Sequence, residues 1–225
     1  MRKRILSMFL GVAILITSSI SCLAAPTDEV KNNTEEHFIV VNIPNDFEWD
    51  YDWRTTVKAR YKETKEPITL SLVYSGRLYA TIPKEKANME IEPFAAEEIN
   101  FTDYDGKYYE FSPMRELSKT GVIKGNEKGE ALPFENITRA EATAMLMRFL
   151  GLENVPEANE VVHFEDVSKN DWYYSVVMSA YYYGLVKGES AHTFSPNRNV
   201  SREEFIVMAA RAVELAKLGY PNDDS

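Results

Sequence analysis

The sequence of 225 residues contains a single cysteine, Cys22, which lies close to the N-terminus. If that segment is removed, the rest of the chain has no thiol, which excludes disulfides, thiolate metal sites and a cysteine nucleophile. The three histidines, His37, His163 and His192, stand in unrelated contexts. The motifs of zinc proteases, serine hydrolases and phosphate-binding loops are absent as well. These absences predict a protein that is not an enzyme and that uses no cofactor.

Long hydrophobic runs are also missing after the N-terminus, so we predict no transmembrane segment in the mature chain. Residues 1–25 begin with three basic residues, continue with a short apolar stretch and end with small residues. This is the pattern of a secretory signal peptide, and it predicts a secreted protein. Cys22 permits a lipid anchor as a minor alternative, although a lipobox needs an aliphatic residue where Ser19 stands.

Basic residues are scarce, with 25 Lys and Arg against 35 Asp and Glu and a net charge of −10. Loss of the predicted signal peptide takes the charge from −10 to −13, because it holds three basic residues and no acidic one. Nucleic acid is therefore excluded as a partner, since its binding requires cations to neutralise phosphates. Residues 46–53 concentrate carboxylates but lack the glycine and terminal glutamate of an EF-hand, so we interpret them as an exposed acidic loop without a metal.

The second half of the chain is an internal repeat. A shift of 63 residues places residues 101–152 on residues 164–215 without a gap. The paired residues include Phe101 with Phe164, Asp103 with Asp166, Gly121 with Gly184, Pro133 with Pro196 and Arg139 with Arg202. A period of this length indicates one supersecondary unit that packs on its own copy.

Each repeat is predicted to fold as helix, loop, helix. Both second helices open with a capping box, in which a hydroxyl and a carboxylate each bond the other residue's backbone amide. The pairs are Thr138 with Glu141 and Ser201 with Glu204. Apolar residues follow at helical spacing, and Gly151 suits the left-handed position that ends the first of these helices. The two earlier helices are predicted to begin near Ser112 and Asp171.

Residues 37–100 have a different composition, with short runs rich in β-branched and aromatic residues. They predict one small antiparallel sheet of four or five strands, with Ser75 and Gly76 in a tight hairpin turn. So short a region buries only a modest core, and we expect it to pack against the repeats for stability. The predicted fold class is α+β, with two all-α repeats preceded by the β region. The predicted segments are signal peptide 1–25, flexible leader 26–36, β region 37–100, repeat one 101–155, repeat two 156–216 and polar tail 217–225.

These spaced motifs resemble the S-layer homology (SLH) family of bacterial envelope modules. Its pattern is Phe-x-Asp-Val, an aromatic residue, Gly-(Ile/Val)-x-x-Gly, Phe-x-Pro and Ile-Thr-Arg-Ala-Glu. Repeat one departs from it with Tyr109 in place of Trp and Ala131 in place of the Phe of Phe-x-Pro. The family usually works with three repeats that close a pseudo-threefold bundle, and this chain shows two. The resemblance implies binding of an anionic secondary cell-wall polysaccharide, with its pyruvyl ketal or other acidic group held in grooves between repeats.

The candidate glycan-binding residues are Arg139, Arg202, Lys124, Lys187, Trp172 and Tyr109. The two arginines stand at the first position of a helix and outside its apolar stripe, where a cation gains nothing from the helix dipole. We interpret them as exposed residues that bind an anion together with free helix N–H groups. The resemblance implies that these arginines hold the acidic group of the glycan. Trp172 and Tyr109 are interpreted either as sugar-stacking faces or as residues of the inter-helix core.

We therefore predict a secreted, non-catalytic cell-wall protein that attaches to an anionic glycan and has other envelope proteins as further partners. The alternatives are a self-associating S-layer or envelope structural protein, a lipoprotein scaffold, and an enzyme within the β region. A missing third repeat leaves apolar helix faces open. We favour cover by the β region over association of two chains, which predicts a monomeric mature chain and an aggregating or dimerising fragment 101–225.

Overall fold

The computed structural model describes residues 37–43, 56–74, 77–97, 99–103, 112–153, 158 and 162–216. The predicted signal peptide and leader, the acidic residues 46–53, the hairpin turn at residues 75–76 and Tyr109 lie outside the described residues. The strands are β1 (Phe38–Ile43), β2 (Thr56–Tyr61), β3 (Pro67–Ile68), β4 (Ser71–Tyr74), β5 (Arg77–Pro83) and β6 (Ile91–Ala96), with a 3-10 turn at Lys84–Lys86. The α-helices are α1 (Ser112–Lys119), α2 (Arg139–Leu150), α3 (Tyr174–Tyr182) and α4 (Arg202–Leu215).

The β region forms two antiparallel sheets, with strand orders β1-β5-β4 and β3-β2-β6. The prediction of one sheet was wrong because the strand expected over residues 68–74 is broken at residues 69–70. Ser71 stabilises the break, since its Oγ donates to the Ile68 carbonyl at 2.9 Å and accepts from the Ala59 amide at 3.2 Å. The two pieces then pair with different neighbours, β3 with β2 and β4 with β5. Side chains from both sheets nevertheless share one apolar core.

The β region packs against the helical repeats, as expected from its small size. Phe38 of β1 is buried in the main apolar core together with side chains of both repeats. The ring of His37 meets that of Tyr183 edge-on at 5.3 Å between centroids. Lys86 Nζ donates to the Gly151 carbonyl at 3.3 Å. The prediction that the β region packs against the repeats is therefore confirmed.

The helices of the repeats largely follow their local signals. Both capping boxes are formed, and Gly151 ends α2 with a φ of 70°. The helix expected from about Asp171 begins at Tyr174 instead, because the Asp171 carboxylate accepts from the Ser168 amide within a preceding turn. Thr138 and Asn199 also form an isolated β-bridge between the repeats. The prediction that the repeats contain helices alone stays a prediction. No helix among the described residues has the length and apolar character of a membrane span.

One helix face is left open. On α4, Ile206 is 45% exposed and Val207 is 49% exposed. Their counterparts in repeat one, Thr143 and Ala144, are fully buried. The helix α2 contacts both α3 and α4. The β region therefore joins the repeat core at Phe38 but leaves this face of α4 uncovered, in contrast to the intramolecular cover expected for it.

Candidate functional site

The loops between the two helices of each repeat share one backbone clamp. The carboxylates of Asp103 and Asp166 each accept two loop amides, with distances between 2.6 and 2.9 Å. The second residue in each clamp, Leu132 or Ser195, adopts a positive φ of 50° or 61°. The two loops therefore have the same local conformation around the clamp.

The loop of repeat two receives the N-terminus of α2. The Arg139 amide donates to the Arg198 carbonyl at 2.8 Å, and the Ala140 amide donates to the Pro196 carbonyl at 3.0 Å. The first amides of a helix have no intrahelical partner, and here the neighbouring repeat satisfies two of them. These N–H groups are therefore not free, in contrast to the free helix N–H groups expected beside Arg139, and the glycan-binding role of Arg139 stays a prediction.

The Arg139 side chain enters the same loop and is only 8% exposed, which corrects the expectation of an exposed residue. Its Nη2 donates to the Lys187 carbonyl at 2.7 Å, and its guanidinium carbon lies 4.9 Å from the centroid of the Phe194 ring. Its Nη1 lies 3.7 Å from Glu204 Oε1. Burial lowers the pKa of the guanidinium, and the nearby charge of Arg198 lowers it further. We call this arrangement the second-repeat site.

Ion pairs fix the side chains around the second-repeat site. Arg198 donates to both oxygens of Glu204, at 2.9 and 2.6 Å, and also pairs with Glu189. The bonds from Arg198 and from the Ser201 amide hold the pKa of Glu204 at about 2, far below its ordinary value. The carboxylate of Glu204 thus serves the helix cap and the repeat interface together.

The equivalent place in repeat one is open and forms a cavity of about 230 Å³, which we call the first-repeat cleft. Met114, Ile123 and Met145 contribute to an apolar floor. Repeat one has Ala131 at the position where repeat two has the buried Phe194 ring, which leaves this space open. Sequence reasoning noted Ala131 as a departure from the family pattern, and that departure was the available signal for this cavity.

Two predicted site residues meet at the first-repeat cleft. Trp172 reaches its rim from repeat two and is 60% exposed, which places its ring on the surface rather than in the core. Lys124 lies in the same lining and is exposed. Arg148 and Glu135 also line the cleft, and sequence reasoning missed both, because neither belongs to the recognised motif.

The charges at the first-repeat cleft are not all equally available to a ligand. Arg148 Nε donates to Glu153 at 2.8 Å, so its charge is partly neutralised. Glu141 accepts the amide and the hydroxyl of Thr138 in the capping box. In the part of the chain that the structure describes, Lys124 takes part in no ion pair. Lys124 is therefore the cation best placed to receive an acidic group.

The other predicted site residues lie elsewhere. Lys187 is exposed, and its carbonyl is the acceptor for Arg139. Arg202 is exposed at the start of α4, and its side chain has no hydrogen bond or ion pair with any described residue. Tyr109 lies outside the described residues. Across the described ranges, no three His, Cys, Asp or Glu side chains cluster as metal ligands would.

Comparison with known proteins agrees with this repeat geometry. The family model of the S-layer homology domain matches residues 100–143 and 163–206. An endoglucanase of Bacillus sp. (strain KSM-635) is 30% identical over 155 residues, which are 69% of this chain and 16% of that protein. The surface-layer 125 kDa protein of Lysinibacillus sphaericus is 33% identical over 54% of this chain and 10% of its own. The S-layer protein sap of Bacillus anthracis is 31% identical over 57% of this chain and 15% of its own.

This chain thus spans 16% or less of the length of these three relatives. Both family matches coincide with the helix-loop-helix units that carry the aspartate clamps and the capping boxes. The chain therefore carries two S-layer homology domains.

Proposed function

We propose that this chain is a secreted, non-catalytic envelope protein that attaches to an anionic secondary cell-wall polysaccharide through the first-repeat cleft. S-layer homology domains generally mediate cell-wall anchoring, and two of the relatives are surface-layer proteins. The observation that carries the proposal is the open cleft of about 230 Å³ with Trp172 and Lys124 at its rim. An apolar cavity with a few convergent polar groups is the usual form of a site for a small ligand.

The cleft residues suit one acidic sugar unit. The exposed ring of Trp172 offers an apolar face to a sugar ring. Lys124 offers a charge-assisted hydrogen bond to a carboxylate substituent. Glu135 and Asn136 also line the cleft and can accept hydrogen bonds from sugar hydroxyls. The negative charge of the whole chain does not prevent this, because exposed charges are screened beyond about 10 Å at 0.1 M salt.

The proposal assigns one glycan site to each chain rather than two. The buried Phe194 ring and the guanidinium of Arg139 occupy the second-repeat site, where repeat one has its cleft. Lys187 lies outside the lining of the first-repeat cleft, although it is the counterpart of Lys124. It therefore provides a matched control for the experiment.

The test is sedimentation of the mature protein with purified cell walls. Lys124→Gln and Trp172→Ala are each expected to weaken wall binding, whereas Lys187→Gln is expected to bind as the wild type does. Loss of one charge-assisted bond removes roughly 1.5–3 kcal/mol, which is about a tenfold to hundredfold change in affinity. Circular dichroism checks that each variant is folded.

Two further outcomes decide the assignment. Walls from which acid has extracted the secondary polymer are expected to lose the protein, and retention on such walls would contradict a glycan ligand. An equal loss of binding in Lys124→Gln and Lys187→Gln would show that the site is not confined to the first-repeat cleft.

A further inference from the structure

The helix α4 carries a surface that its counterpart α2 uses for docking. In α2, Arg139 and Thr143 are buried against the rest of the molecule, and Arg139 binds the loop of repeat two. The corresponding residues of α4 are Arg202 and Ile206, and both are exposed. Positions four apart share one side of a helix, so they form a continuous surface with the adjacent Val207. We call these three residues the α4 face.

The chain also carries an unused copy of the surface that receives α2. Arg139 and Ala140 bind the carbonyls of three loop residues in repeat two, which are Lys187, Pro196 and Arg198. A shift of 63 residues converts these into Lys124, Pro133 and Glu135, and all three line the first-repeat cleft. The aspartate clamp gives the two loops the same local conformation.

We propose that the α4 face of one chain docks in the first-repeat cleft of a second copy of this chain. The contact repeats, between molecules, the contact that α2 makes with the loop of repeat two within the molecule. In it the Arg202 guanidinium reaches the Lys124 carbonyl, and the Arg202 amide reaches the Glu135 carbonyl. Ile206 and Val207 lose their exposed apolar surface to the partner, which favours association.

The charges at the cleft suit an incoming arginine better than those at the second-repeat site. There, the guanidinium of Arg139 has the like charge of Arg198 nearby. In repeat one the residue at the position of Arg198 is Glu135, and the residue at the position of Thr193 is Glu130. Glu135 and Glu130 thus complement the Arg202 guanidinium, and the space left by the alanine at position 131 admits a side chain. The adjacent Glu203, which stands where α2 has the buried Ala140, opposes this attraction.

The proposed contact is heterologous, because the two partners contribute different surfaces. Each chain contributes one α4 face and one cleft, so association continues head to tail until it closes into a ring or extends as a chain. The inference does not depend on glycan binding. It does place the second copy and the glycan at the same cleft, so that each excludes the other there.

The experiment measures the mass of the mature protein by sedimentation velocity over a range of concentrations, with no glycan present. The wild type is expected to gain mass as concentration rises. Arg202→Glu and Glu135→Arg are each expected to weaken this association by about tenfold or more, because each places like charges across the interface. A mixture of the two single variants is expected to recover it, because the unchanged Arg202 of one meets the unchanged cleft of the other. The variant carrying both changes is expected to recover only part of it, because a carboxylate at position 202 cannot donate to the Lys124 carbonyl.

Recovery in the mixture shows that both variants are folded, since each then supplies one intact surface to the other. A second variant, Ile206→Glu, tests the apolar part and is expected to remain monomeric with an unchanged circular dichroism spectrum. A wild type that stays monomeric at all concentrations would overturn the proposal, as would association that neither charge reversal alters. Wall sedimentation of Arg202→Glu, whose cleft is intact, reports on the glycan function separately.

Discussion

At the scale of the residue, the arginine of the repeat motif is buried in one repeat and exposed in the other. Arg139 and Arg202 follow the same cap and open equivalent helices. Arg139 is buried against repeat two, whereas Arg202 is exposed. Sequence predicts the same role for both, because the difference arises from contacts of Arg139 with residues about 50 positions away and not from any neighbouring residue in the chain.

This difference predicts unequal effects on stability. Arg139→Ala is expected to lower the free energy of unfolding by about 2–3 kcal/mol, because it removes a bond to the Lys187 carbonyl and the contact over the Phe194 ring. Arg202→Ala is expected to change it by less than about 0.5 kcal/mol. Urea denaturation at low protein concentration measures both. Equal effects of the two substitutions would contradict the burial that distinguishes them.

At the scale of the element, the N-terminus of α4 makes stability dependent on pH through Glu204. Its pKa is about 2 in the folded protein against an ordinary value of 4.5, because Arg198 and the Ser201 amide favour the charged form. A carboxylate whose pKa is depressed by folding stabilises the fold when the pH is above the ordinary pKa of the group. This contribution is lost as the pH falls towards the pKa of the folded state. The carboxylate is partly exposed, so screening by solvent keeps the contribution small.

We therefore expect Glu204→Gln to flatten the dependence of unfolding free energy on pH between about 4.5 and about 2. Arg198→Gln removes the first of the two causes and is expected to flatten the same range. Chemical denaturation at a series of pH values measures the slope. If both variants keep the slope of the wild type, another group must be responsible for it.

Local signals predicted some elements correctly and others not. The capping boxes at Thr138 and Ser201 and the glycine that ends α2 depend on residues within one turn, and the sequence was sufficient for them. The strand broken beside Ser71 depends on a hydrogen bond to Ala59, twelve residues away. Ala131 signals the first-repeat cleft in the sequence, but the approach of Trp172 to that cleft depends on how the two repeats pack. Such features require the positions of distant residues, which periodicity does not contain.

At the scale of the whole molecule, Phe38 joins the β region to the repeats. It is 7% exposed in the core that both repeats share, whereas Val40, on the same strand, is 58% exposed. Phe38→Ala is expected to cost about 3–5 kcal/mol through lost burial and the cavity it leaves. Val40→Ala is the matched control and is expected to cost much less.

Thermal unfolding followed by both circular dichroism and tryptophan fluorescence measures this link. We expect Phe38→Ala to lower the transition temperature in both signals together, because Phe38 anchors the β region in the core of the repeats. A variant in which only one signal shifts would show that the two parts unfold independently.

The contact between the repeats depends on main-chain acceptors. The donors of Arg139 and Ala140 end on the carbonyl oxygens of Lys187, Pro196 and Arg198. A carbonyl is present whichever side chain occupies the position, so mutation of these three residues does not remove the acceptors. The acceptor loop can therefore change its side chains at these three positions and still bind the neighbouring repeat, provided that the partner keeps its arginine.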